Sequence, residues 1–132
     1  MITVAIILSV SVTIVGLSLF DYNFEEKNSD VKTIVKADVI MPIKVSRPGC
    51  DIEDICYIPS SIVTEKGKPI TWVNEDSSFH TVTSGFYGEP TGLFDSGYLD
   101  PYQSFTLSFD ESGTYDYFCT LHPWMKAQII VE

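Results

Sequence analysis

Residues 103–109 read Gln-Ser-Phe-Thr-Leu-Ser-Phe, so Phe105, Leu107 and Phe109 alternate strictly with Ser104, Thr106 and Ser108. Successive side chains on a strand point to opposite faces, so this run is a β-strand with one face in a core and the other in water. The pattern recurs along the chain. Residues 69–74 put Ile70 and Trp72 on one face and Thr71 and Val73 on the other. Residues 114–119 bring Tyr115, Tyr117 and Cys119 together, and residues 126–132 alternate Ala127, Ile129 and Val131 with Lys126, Gln128, Ile130 and Glu132. Residues 34–46 are β-prone, with Pro42 at a bend or an edge. Residues 61–65 lead to a turn at Gly67, and residues 79–84 form a strand with His80 and Val82 on one face. The Gly- and Pro-rich stretch 85–92 reads as loop, and Glu111-Ser112-Gly113 as a turn. After residue 20 no helical period extends beyond two turns. Six to eight short strands separated by turn signals make an all-β sandwich or barrel. The chain has 132 residues, 45% of them apolar, which is room for one such domain over residues 34–132.

The first twenty residues are a separate object, since they carry no charged side chain. About 20 helical residues span a bilayer core, so residues 1–20 are expected to form a hydrophobic helix. A cleaved signal peptide has a basic n-region and a small-x-small cut site. Here the n-region offers only the α-amino group, and Gly16 with Ser18 is a weak site. An uncleaved membrane anchor is preferred over a signal peptide. In either case the rest of the chain is exported, to the outer face of the membrane or a periplasm-like space. Residues 21–33, charged and aperiodic, read as a linker.

Export bears on the three cysteines. Cys50 and Cys56 lie close together in a polar stretch, while Cys119 stands alone beside a histidine. In an oxidising compartment an odd count calls for an explanation, and a Cys50–Cys56 disulfide with Cys119 left for a metal supplies one. Two free thiols are the other reading. The net charge of −10 argues against nucleic acid, whose phosphates need basic patches. It suits a monomer that repels its own copies and steers toward a basic docking patch on a protein partner, or it serves solubility alone.

The chemistry concentrates in Cys119-Thr-Leu-His122-Pro-Trp-Met125, a loop between two strands. The one other histidine of the chain, His80, opens a different strand after the polar turn Asn74-Glu-Asp-Ser-Ser. A thiolate, two imidazoles and a weak axial thioether are the donors of a blue-copper site, and the surroundings of the sulfur tune its potential. Taken alone, His80 could be a hydrogen-bonded core histidine and Met125 a core filler. Met41 is read as core. Trp124 is read as part of an exposed apolar patch beside His122, with packing against the ligand loop as the other option. A structural zinc site on Cys50, Cys56, Cys119 and His122 is a third reading, although it leaves His80 and Met125 unexplained.

The stretch YDYFCTLHPWMKAQIIVE (115–132) resembles the C-terminal end of amicyanins and plastocyanin-like cupredoxins. Residues 70–85, ITWVNEDSSFHTVTSG, are similar to that family's region around its first histidine ligand, and residues 96–119 to the strand and turn between. The resemblance covers about half the chain. The short ligand loop is nearer to amicyanin, whereas the N-terminal half and the Cys50/Cys56 pair depart from that pattern and look more like archaeal plastocyanin-like domains. The resemblance implies a cupredoxin domain over residues 34–132, a Greek-key β-sandwich. It implies one copper ion (Cu+/Cu2+) in a type 1 site, held by His80, Cys119, His122 and Met125. It also implies that the ring edge of His122 is the electron port, with Pro123 and Trp124 beside it.

Electron transfer between protein redox partners is therefore the expected function, not catalysis. There is no second metal cluster, no Ser/His/Asp arrangement and no glycine-rich phosphate loop in the sequence. Copper storage or delivery to a membrane oxidase is the alternative. An exchangeable delivery site would be richer in Met or in paired Cys than this one.

Overall fold

The computed structural model describes residues 35–132, and the helix and linker expected over residues 1–33 lie outside them. Eight strands make up two sheets: β1 (Val39–Met41), β2 (Ser61–Thr64), β3 (Ile70–Asn74), β4 (Thr83–Phe86), β5 (Glu89–Asp95), β6 (Ser104–Leu107), β7 (Gly113–Phe118) and β8 (Lys126–Val131). One sheet has the order β1-β3-β6 and the other β2-β8-β7-β4-β5. β1 pairs with β3 and β2 with β8 in parallel, and the remaining pairs are antiparallel. There is no helix among the described residues.

The alternation read from sequence is the alternation of burial. Ile70 and Trp72 on β3 are buried, as are Tyr117 on β7 and Ile129 and Val131 on β8. Phe105 and Leu107 on β6 are partly buried against this core. Trp72 meets Tyr117 of the other sheet edge-on, with ring centroids 5.8 Å apart. Phe109 packs between Phe94 and Tyr115, at 5.6 and 4.6 Å. Burying a side chain of this size contributes about 1.5–3 kcal/mol, so these aromatics bond the two sheets.

Three segments differ from the sequence reading. Within residues 34–46 only Val39–Met41 is strand. Beyond it the backbone turns, and the amides of Lys44 and Ser46 point at Asp76 instead of at a neighbouring strand. The strand expected over 79–84 begins at Thr83. His80 makes a lone bridge to Leu99, and the Val82 amide is taken by the Ser96 hydroxyl at 2.8 Å, which interrupts the ladder. Residues 85–92, read as loop, turn a β4–β5 hairpin. Pro90 is tolerated there because β5 is an edge strand.

This topology decides where the chemistry sits. Thr83 on β4 is opposite Phe118 on β7 in an antiparallel pair. The residues just before β4 therefore lie beside those just after β7, which brings His80 to Cys119.

Candidate metal centre

Residues 119–125 connect β7 to β8 and are fixed by their own backbone. The Cys119 amide donates to the Met125 carbonyl at 3.1 Å, and the Met125 amide to the His122 carbonyl at 2.9 Å. Thr81 joins this loop to the chain before β4. Its hydroxyl accepts from the Thr120 amide at 2.9 Å and lies 2.9 Å from the Thr83 hydroxyl. Its own amide donates to Cys119 Sγ at 3.4 Å.

The ring atoms converge on that sulfur. His80 Nδ1 lies 3.8 Å and His122 Nδ1 3.5 Å from Cys119 Sγ. The ligand atoms of the three residues all fall within 4.8 Å of one another. His80, Cys119 and Met125 are fully buried, and His122 is half-buried between the exposed Leu121 and Pro123. A soft sulfur facing two imidazole nitrogens, with a buried thioether six residues along the chain, is a donor set that suits copper.

The other face of His80 meets a carboxylate. His80 Nε2 is 3.0 Å from Asp76 Oδ2, and Asp76 is buried. Burial alone would raise the Asp76 carboxyl. Hydrogen bonds from His80 and from the amides of Lys44, Ser77 and Ser46 outweigh burial and hold it well below the usual carboxylate range. Burial also lowers His80, against the pull of Asp76, and lowers His122 with help from His80. The His80–Asp76 pair is thus a carboxyl that favours its ionised form facing an imidazole whose protonation burial opposes. Asn74 shapes the turn that carries both. It donates to the carbonyls of Ser78 and Leu99 at 2.8 and 3.0 Å and accepts from the Asp76 amide at 2.9 Å.

All four residues singled out in the sequence lie in or beside this cluster. Trp124 does not stand in an open patch. It is half-buried against the core, its Nε1 donates to the Val45 carbonyl at 2.9 Å, and its ring lies 5.5 Å from that of His122. The zinc set does not assemble, because Cys50 and Cys56 are joined to each other as a disulfide with Cα atoms 4.9 Å apart. Sequence reasoning missed Asp76 and Thr81. The signal for Asp76 was its place in the turn, four residues before His80; a threonine next to a histidine gives none.

Residues 45–132 match the family model of copper binding proteins, plastocyanin/azurin family. Amicyanin of Paracoccus versutus is 35% identical over 83 residues, which cover 61% of this chain and 61% of that protein. The match therefore spans about three fifths of the amicyanin's length. Plastocyanin of Scenedesmus fuscus is 34% identical over 92 residues, or 64% of this chain and 94% of that protein. The structure described as a novel purple cupredoxin from Nitrosopumilus maritimus superposes with a TM-score of 0.66 at 30% identity, over 74% of this chain and all of that one. Together with the donor set, these matches fit one type 1 copper.

Proposed function

Since this chain belongs to the plastocyanin/azurin family of copper binding proteins, we propose that it is a type 1 blue-copper electron carrier with His80, Cys119, His122 and Met125 as ligands. The observation that carries the reading is the convergence of two imidazole Nδ1 atoms on one buried cysteine sulfur, 3.8 and 3.5 Å away. Copper bound there supplies a one-electron couple between +1 and +2. The chain's own residues keep that couple free of rearrangement. Cys119 and Met125 are held by the backbone bonds of their loop, and Thr81 directs its amide at the sulfur. His122 is the ligand residue that reaches the surface, flanked by exposed Leu121 and Pro123, and there electrons enter and leave. The protein has no catalysis of its own in this reading. It works as a monomer held by residues 1–20 at the outer face of a membrane, and its acidic surface orients it toward a basic patch on a protein partner.

A visible absorption spectrum of the full chain loaded with Cu(II) tests the proposal. A strong thiolate-to-copper band, bleached by ascorbate and absent in Cys119→Ser, is the expected result. A colourless chain that still binds one metal would sink the blue-copper reading and favour copper delivery instead.

A further inference from the structure

Asp76 occupies an unusual position for a carboxylate. It is buried, at 2% exposure, and every donor around it is identifiable. Oδ1 accepts from the Lys44 amide at 2.9 Å and the Ser77 amide at 2.8 Å. Oδ2 accepts from the Ser46 amide at 3.1 Å and faces His80 Nε2 at 3.0 Å. A buried carboxylate costs several kcal/mol unless it is so satisfied, in round terms about one hydrogen bond per lone-pair direction. Two of the four donors come from the segment 44–46, more than 29 residues away in sequence.

That same segment grips the other half of the site. Between the two amides that hold Asp76, the Val45 carbonyl accepts from Trp124 Nε1 at 2.9 Å, and Trp124 lies between His122 and Met125 in the chain. Cys50 Sγ is 3.6 Å from the Val45 carbonyl, and Cys56 Sγ 3.8 Å from the Trp124 carbonyl. Segment 44–46, which leads into the loop closed by the disulfide, is therefore a brace. Its amides hold the carboxylate behind His80, and its Val45 carbonyl holds the loop of Cys119, His122 and Met125 through Trp124.

An imidazole offers a metal only the nitrogen that carries no proton, and the partner of the other nitrogen decides which one that is. With a carboxylate able only to accept, Nε2 must be the donor. Nδ1, the atom facing Cys119 Sγ, is then left with its lone pair free. We infer that Asp76 is the positioning residue for His80: its carboxylate fixes the Nε2–H tautomer and the ring orientation, and it is itself held by the amides of Lys44 and Ser46, in the segment that leads into the disulfide-closed loop. This rests on the copper reading for its purpose, though not for its geometry. A fixed negative charge behind a ligand also favours the more positive oxidation state of a bound ion.

The test has two parts. Long-range 1H–15N NMR of the metal-free full chain at mildly alkaline pH reads which nitrogen of His80 carries the proton. Nε2–H is expected, and Nδ1–H overturns the inference. The second part loads the Asp76→Asn full chain with copper. Asn keeps the size and one acceptor oxygen but removes the charge, so a packing role alone would leave the potential where it is. The blue band is expected to persist and the reduction potential to rise, so that the Cu(II)-to-Cu(I) ratio at a fixed ambient potential falls severalfold. An unchanged potential overturns the inference. If the variant does not fold, the tautomer of the unaltered chain decides alone. If the chain shows Nε2–H at His80 yet takes up no copper, the carrier function fails and the assignment of Asp76 stands.

Discussion

Met125 is fully buried, and its amide is tied to the His122 carbonyl. Its sulfur therefore comes with a fixed backbone, and what remains to its side chain is chemistry. A thioether is a weak donor to Cu(II), so its removal should favour Cu(I). Met125→Leu, nearly equal in volume, should keep the blue band and raise the reduction potential measured by redox titration. A fall in potential would remove Met125 from the ligand set. Swaps of this kind cost less than about 1.5 kcal/mol in a core, so the fold should survive. The legibility of the proposed ligands has a simple cause. Histidine occurs twice in the chain, and cysteine once outside the close pair, so their spacing stands out. Aspartate and threonine are common in turns and strands. Asp76 and Thr81 acquire meaning only when the fold sets the 44–46 segment and the start of the ligand loop against them.

Strands were legible wherever one face is buried and the other wet, as on β3, β6 and β8. Pattern reading failed where the ladder is broken by side chains, before β4, and where glycine and proline sit inside a hairpin. Gly85 shows why the second error arises. Its φ is +104°, a left-handed conformation, and the register between β4 and β5 shifts at this point. A Cβ there would lie 2.5 Å from the Glu89 carbonyl oxygen and 2.8 Å from the Thr91 amide nitrogen, both of them backbone. Glycine in this strand therefore marks a close approach of two backbones, although in sequence it reads as a loop breaker. Gly85→Ala combines positive-φ strain with a clash that no side-chain motion relieves. It should lower unfolding stability by more than about 2 kcal/mol in a urea titration. A loss below half that would mean the hairpin yields readily. Gly88, at the same hairpin's turn, has open space around the same position. Gly88→Ala should thus cost only its backbone strain, which separates the two contributions.

At the scale of the whole molecule, the two sheets meet through aromatics that also carry polar ends. Tyr57 and Tyr117 pack edge to face at 4.9 Å, both fully buried, and the Tyr57 hydroxyl donates to the Thr81 carbonyl at 2.6 Å. Burial pushes both phenols above their ordinary value, Tyr57 with a further push from Cys119. In the unfolded chain they ionise near pH 10 (about 10 for a free tyrosine). Above that pH the unfolded state gives up protons that the folded state keeps. Their contribution to stability is therefore fully present below about pH 10 and is lost as pH rises toward the raised folded values. Between about pH 8, above the histidine range, and that pH, urea midpoints should be flat; beyond it they should fall, and the fall should be smaller in Tyr117→Phe. An equal fall in the variant would assign the alkaline loss to other groups. The surface sets a separate expectation, because the chain carries a net charge of −10 and long-range steering depends on the sum of its charges. The copper-loaded protein should exchange electrons faster with a cationic complex such as hexaammineruthenium than its driving force alone accounts for. That rate should drop as salt rises, since the Debye length shrinks from about 30 Å at 0.01 M to about 10 Å at 0.1 M. Exchange with the anionic hexacyanoferrate should respond in the opposite sense. If both rates ignore salt, the surface around His122 is electrically neutral to an approaching partner. Recognition would then rest on the apolar Leu121 and Pro123, with the acidity of the chain serving solubility.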